Sequence, residues 1–251
     1  MTGPVALHGG GEFQAGDEPF LAALLDLAVG RVGRGRPVRV AVVPTAAARG
    51  RPDLAAANGL AAFERVALAG AVAMEAVAID VVDRDTAANP ELAAWLVAAD
   101  VIHLPGGDPD LIPTVMLGSV AWAAIIEAHV GGAVLAGASA GAMALGSWTW
   151  TPGGGMAGLK VVRGLVAVPH AHADTWAATA ERFAAWAPPG LGALGLAEQT
   201  GVIEEPPAPG SATMSWRVVG PGEALWLAHP DGGETIVAHS GDVISTPVIP
   251  L

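Results

Sequence analysis

Short apolar runs and longer Ala- and Leu-rich stretches take turns along the chain up to about residue 145. Val5–His8 reads as a strand that breaks into Gly9-Gly10-Gly11. Phe20–Val29 carries apolar residues at helical spacing, and Val38–Val43 is a buried strand ending at Pro44-Thr45. Leu54–Leu68 is helical again, Ala76–Val82 is a strand followed by Asp83-Arg84-Asp85, and Glu91–Ala98 is a helix capped through Asn89-Pro90. Val101–Leu104 is a strand ending in Pro105-Gly106-Gly107-Asp108, Ala121–His129 a helix, and Ala133–Ala136 a further strand. Such alternation predicts an α/β fold, a mostly parallel sheet sandwiched by helices. Loops at the carboxyl ends of parallel strands share one rim, where folds of this kind bind ligands. Gly9–Gly11, Thr45, Gly106–Asp108 and Ser139 all fall at such ends.

Beyond residue 145 the texture changes. Trp148–Gly155 predicts a loop or hairpin, Val161–Val168 a strand leading into Pro169-His170-Ala171-His172-Ala173-Asp174, and Thr175–Trp186 a helix. Leu196–Ile203 contains another strand, and Pro206–Gly210 is a Pro-rich turn. Trp216–Val219, Ala224–Leu227, Thr235–His239 and Asp242–Ser245 are short strands joined by Gly and Pro turns, expected as antiparallel additions that finish the sheet or form a small β appendage. With no internal repeat or long linker, residues 1–251 are expected to form one domain, with about 205–251 as its β-rich extension.

Composition narrows the chemistry. At 52% hydrophobic the 251 residues can bury a sizeable core, yet no apolar run reaches membrane-span length without Gly, Pro or charge interrupting it. The N-terminal MTGPVALHGGGEF lacks the basic and apolar regions of a signal peptide, so a cytoplasmic location is expected. A formal net charge of −12 argues against nucleic acid and anionic membrane as partners. The chain has no cysteine, which excludes disulfides, thiolate metal sites and a cysteine nucleophile, and no tyrosine, which excludes a phenolic acid or base.

The segment Val134–Leu145, VLAGASAGAMAL, holds the pattern G-x-S-x-G at Gly137-Ala138-Ser139-Ala140-Gly141, between an apolar strand and a helix-forming run. This is the pattern of a nucleophile elbow, a turn so tight that its central residue takes positive φ and its neighbours must be tiny. Here each neighbour is Gly or Ala. The alternative is a plain small-residue turn in another α/β protein.

A serine hydroxyl is a weak nucleophile near neutral pH and needs an imidazole to take its proton. Of the seven histidines, His129 is expected at the surface of its helix, and His229 and His239 in C-terminal hairpins. His8 and His103 precede Gly-rich loops and either face the rim or are satisfied near the core. His170, directly after a strand, is favoured as the base, with His172 second. The pair His170-Ala171-His172 also admits half a metal site, but no third ligand of matching pattern is evident, so neither metal nor cofactor is expected. An oxyanion would be held by the backbone N–H of Ala140 and by Gly106 and Gly107 in the Gly-Gly-Asp loop, which alternatively is a plain strand-ending turn. Trp148 and Trp150 either line a pocket or belong to the core or to a subunit interface of a homodimer.

These pieces, in this order, resemble the family of serine peptidases that contains cyanophycinase and aspartyl dipeptidase. The resemblance runs through GGGE at Gly9–Glu12, Pro44-Thr45, ADVIHLPGGDPDLI at Ala99–Ile112, GAVLAGASAGAMAL at Gly132–Leu145, Pro169-His170 and GLAEQTGVI at Gly195–Ile203. It implies a class I glutamine amidotransferase-like, flavodoxin-like fold, Ser139 as nucleophile, His170 as base, and an oxyanion hole at Gly106, Gly107 and Asp108. It also implies an orienting acid between nucleophile and base, but only Lys160 and Arg163 are charged there. Asp174, Glu198 or Glu12 is the substitute, or else the site is a Ser–His dyad held by a backbone carbonyl. Cyanophycinase-like enzymes follow the histidine with several arginines. This chain has only Arg182 in that stretch, which disfavours cyanophycin as substrate. The leading expectation is a serine-type hydrolase of short peptides or related amides. A binding or regulatory protein that keeps the fold without catalysis, and an esterase or transferase on the same elbow, are the alternatives.

Overall fold

The computed structural model describes residues 2–151, 153–206, 211, 213–228 and 234–247, with residue 184 described by its backbone alone. The chain runs β1 (Val5–His8), α1 (Glu18–Val32), β2 (Val38–Val42), α2 (Pro52–Ala69), β3 (Met74–Ala78), α3 (Arg84–Ala87), α4 (Pro90–Val97), β4 (Val101–Leu104), α5 (Leu111–Met116), α6 (Val120–Val130), β5 (Val134–Ala138) and α7 (Ala140–Leu145). It continues as β6 (Trp148–Thr149), β7 (Met156–Ala157), β8 (Leu165–Pro169), α8 (Ala173–Trp186), β9 (Gly192–Leu196), β10 (Gly201–Glu205), β11 (Thr213–Val219), β12 (Ala224–Leu227), β13 (Ile236–Ala238) and β14 (Val243–Pro247).

The main sheet has the order β14-β11-β10-β1-β5-β4-β2-β3. Its β1, β5, β4, β2 and β3 pair in parallel, and β10, β11 and β14 extend it antiparallel from β1. A smaller sheet, β13-β12-β9-β8, joins β8 and β9 in parallel and the rest antiparallel. The C-terminal strands therefore divide between the two sheets.

Both faces of the main sheet are buried at its centre, which explains why β1, β4 and β5 are nearly continuous apolar runs. Along β2, Val40 and Val42 pack under α1 and α2 with Phe20, Leu24 and Phe63. Ala41 faces the other layer, with Leu96 of α4, Ile112 of α5 and Ile125 of α6. Leu194, Leu196 and Trp226 of the smaller sheet join this second layer. The same period of two appears in β8: Leu165 and Ala167 face that core, whereas Val166 and Val168 face α8 with Trp176 and Phe183. Among the described residues, no helix is long and apolar enough to cross a membrane.

Several boundaries differ from the sequence reading. Leu196–Ile203 holds parts of two strands, because β9 ends at Leu196 and β10 begins at Gly201 in the other sheet. The intervening residues turn through Gln199 at φ 57°. The strand expected from Val161 begins at Leu165, after a bend that includes Gly164 at φ 79°. The strand expected over Ala76–Val82 is β3, which ends at Ala78. The stretch Asp83-Arg84-Asp85 opens a one-turn helix, with Asp83 accepting from the Thr86 N–H. Helix α5 is too short to announce itself by periodicity. The turn expected at Pro206–Gly210 lies, past Pro206, outside the described residues, as does His229.

Three histidines belong to the interior. His129 is buried rather than at the surface, with Nδ1 3.2 Å from the Ala133 carbonyl oxygen, and burial pushes its pKa down. It sits in the last turn of α6, on the face that packs against the sheet. His8 is also fully buried; its Nδ1 accepts from the Gly10 N–H at 3.3 Å, and its Nε2 lies 3.0 Å from Asp17 Oδ1 without the alignment of a hydrogen bond. His103 is buried between Phe13 and Phe63, and neither ring nitrogen has a hydrogen-bond partner among the described residues. It is a core residue but not a satisfied one.

Burial pushes the His103 pKa down from 6.5 to about 3, with Asp17 opposing and His8 assisting. Unfolding therefore takes up a proton at His103 once the pH is below about 6.5, and stability is lost progressively as pH falls from there toward 3. In urea titrations, His103→Leu is expected to gain on the wild type when the pH is lowered from 7 to 4.5. An unchanged gap would rule out this contribution.

Candidate active site

The elbow is built by close approach of backbone. Ser139 follows β5 directly and has φ 48° and ψ −112°, a conformation that a non-glycine residue holds only when its surroundings enforce it. Its N–H donates to the His8 carbonyl at 2.9 Å, and its own carbonyl accepts from the Met143 N–H at 3.0 Å, so the turn is pinned on both sides. A side chain on Gly137 would stand 2.5 Å from the Gly141 carbonyl group, and one on Gly141 would collide with the Leu104 carbonyl oxygen. The two motif glycines are thus dictated by space. The outcome is a serine side chain at the carboxyl ends of β5 and β4.

The imidazole beside it comes from the smaller sheet. β8 ends at Pro169, and His170 turns away at φ 54° with its N–H donating to the Gly9 carbonyl at 2.8 Å. Its Nε2 lies 3.0 Å from Ser139 Oγ. Glu198, on the turn between β9 and β10, places Oε1 2.9 Å from His170 Nδ1. A carboxylate at Nδ1 fixes the proton there and leaves the Nε2 lone pair facing the serine hydroxyl. The pair is about half exposed, so solvent screens it and its value is orientational.

Gly9–Gly11 is the platform for both groups. A side chain at Gly10, itself at φ 105°, would enter the His170 ring, with its Cβ 2.8 Å from Nε2. The Gln199 N–H donates to the Gly10 carbonyl at 2.7 Å, and a side chain at Gly11 would meet Glu198. The sequence marked this turn as part of the rim but not as the support of imidazole and carboxylate. Three successive glycines at a strand end, where one suffices for a turn, are the signal that was there to be read.

The backbone donors beside Ser139 are not equivalent. The N–H groups of Ala140 and Gly107 have no hydrogen-bond acceptor among the described residues. The Gly106 N–H is instead taken by Glu12 Oε1 at 2.7 Å, which corrects its place as a free oxyanion donor. Glu12, considered as an orienting acid, thereby ties the first Gly-rich turn to the second. The Asp108 N–H donates to the Ala46 carbonyl at 2.7 Å, and the Thr45 hydroxyl to the Val81 carbonyl at 2.6 Å, so the loop after β2 buttresses the Gly106–Asp108 loop.

The remaining candidates lie apart. His172 is the exposed residue preceding α8, and Asp174 is exposed in the first turn of that helix; neither has a side-chain contact to Ser139 or His170. Trp150 borders a cavity beside Ser139, whereas Trp148 packs with the residues under α8. His239 lies 3.5 Å from Glu223, on the surface. Among the described residues, no three His, Asp or Glu side chains are grouped as a metal would need.

Hydroxyl, imidazole and carboxylate in series, at the strand ends of a parallel sheet, form the arrangement that serine hydrolases use. The chain belongs to peptidase family S51, whose family model matches residues 5–187. It is accordingly a hydrolase of peptide bonds of the serine type. Among solved structures, it is similar to a peptidase from an acI-B1 actinobacterium, with 23% identity over 98% of this chain and 97% of that one and a TM-score of 0.77. It is also similar to a Listeria monocytogenes EGD-e protein provisionally called peptidase E, with 15% identity over 95% and 98% and a TM-score of 0.54. These likenesses carry the α/β fold past the family match to the C-terminal strands. No curated protein sequence matches the chain.

Proposed function

We propose that Ser139, His170 and Glu198 form a catalytic triad that hydrolyses short peptides through an acyl-enzyme. The observation that carries this is the unbroken relay, 3.0 Å from Ser139 Oγ to His170 Nε2 and 2.9 Å from His170 Nδ1 to Glu198 Oε1. Ser139 Oγ attacks the scissile carbonyl carbon as its proton passes to Nε2. The carbonyl oxygen becomes an oxyanion, facing the free N–H groups of Ala140 and Gly107. Collapse breaks the C–N bond, and the Nε2 proton goes to the leaving amine. Water, deprotonated by the same nitrogen, then releases the acid and restores the serine. Glu198 holds the tautomer throughout and offsets the charge of the transient imidazolium.

A non-catalytic reading draws on the lack of an acid between Ser139 and His170 and on the lack of arginines after His170 other than Arg182. Glu198 beside Nδ1 answers the first of these. The test is a fluorophosphonate probe, which reacts only with an activated serine. The wild-type protein is expected to be labelled on Ser139 and the Ser139→Ala variant not at all. A wild type that resists the probe would overturn the proposal.

A further inference from the structure

Resting on that reading of the site, we infer that the substrate presents a C-terminal residue with an apolar side chain to the cavity beside Ser139, and that its free carboxylate is received by Arg182. A cavity of about 690 Å³ opens beside Ser139 and His170 and extends along α8. That volume suits a small ligand, within the usual range of about 300–1,000 Å³. Its walls are chiefly apolar: Met143 of α7, Val166 and Val168 of β8, and Phe183 and Trp186 of α8. The alternation of β8 aims these two valines at α8, and helical spacing puts Thr175, Thr179, Arg182, Phe183 and Trp186 on one helix face.

Arg182 is the only cation among the lining residues, and no carboxylate lies there. Its side chain meets only the Thr179 hydroxyl, at 3.5 Å, and has no carboxylate within 4.0 Å among the described residues. In a chain of net charge −12 where most arginines do have such a partner, an unclaimed guanidinium at a cavity mouth is a receptor for an anion. The exposed Arg182 marks the rim and the buried Phe183 the interior. An apolar side chain gains by entering past Arg182, while an acidic one would shed water against Val166 and Phe183 without a partner. The terminal carboxylate stays at the wet edge, where a guanidinium can clasp it with two parallel hydrogen bonds.

The experiment separates binding from turnover. Affinities of Ala-Phe, Ala-Phe amide and Ala-Asp are measured on the Ser139→Ala protein by calorimetry, so that nothing is consumed. Ala-Phe is expected to bind roughly tenfold more tightly than either of the others. Adding Arg182→Ala should erase the difference between Ala-Phe and its amide yet keep the preference for Phe over Asp, and Arg182→Lys should restore part of that difference. Adding Trp186→Ala should instead reduce the preference for Phe. Tighter binding of Ala-Asp, a difference between acid and amide that survives Arg182→Ala, or no binding of Ala-Phe at millimolar concentration would each overturn the inference. Probe labelling of the wild type reports on the nucleophile separately: a resistant serine with intact peptide selectivity would sink the catalytic reading and leave only the binding of a C-terminal residue at Arg182.

Discussion

His170→Ala is expected to lower kcat/KM on a cleaved peptide by about 10⁵-fold, close to the cost of losing Ser139 itself, because nucleophile and base act as one unit. The alanine removes the only imidazole within hydrogen-bond distance of Ser139 Oγ among the described residues. What remains is binding and whatever the N–H groups of Ala140 and Gly107 supply. Glu198→Gln should cost less, about 10²- to 10³-fold, below the roughly 10⁴-fold that follows loss of a buried orienting aspartate. Glu198 is about half exposed, so water can stand in for part of its hydrogen bond to Nδ1. Steady-state kinetics on both variants check the pair of values. Equal losses would mean that the carboxylate does more than hold the ring, and a negligible loss at Glu198 would reduce the site to two residues.

Gly10→Ala is the second large effect, and its character differs. The added methyl would push on the His170 ring, which is the far end of a side chain and can swing away, while the backbone at φ 105° resists any L-residue. The fold is expected to survive and the base to be displaced. A misplacement of about 1 Å costs on the order of 10²-fold, so a fall of at least that size is expected in both kcat/KM and the rate of probe labelling. Gly141→Ala supplies the contrast. Its methyl would meet the Leu104 carbonyl, which is backbone and cannot step aside, so loss of folded protein is expected there. Circular dichroism alongside probe kinetics separates the two. If Gly10→Ala reacts at the wild-type rate, the glycine turn does not position the base.

The parallel core was legible because its central strands are compact apolar runs ending in turn residues, as at Val101–Leu104, whose bounds the sequence reading and the structure share. The elbow at Ser139 was legible for a related reason: a turn that admits only Gly and Ala leaves a mark at fixed spacing. His170 stood out by ending a strand. The third partner did not, since Asp174, Glu198 and Glu12 are equivalent on paper. What distinguishes Glu198 is a jump between two sheets at Ala197–Thr200, and the run Leu196–Ile203 conceals it by having apolar residues on either side. Pairing between sheets separated by 28 positions from His170 is non-local information, which no local pattern contains. His129 is the histidine that the sequence misplaces: it is expected at the surface of its helix, yet it lies buried in the last turn of α6.

Ser139 is carried by the larger sheet, His170 by the smaller one, and Glu198 by the strap that joins them. On the proposed mechanism, the proton path is therefore stitched across a seam rather than drawn on one scaffold. Turnover becomes a gauge of how squarely the two layers abut, and a slip of a fraction of an ångström at that seam would silence the enzyme while every helix and strand remained intact.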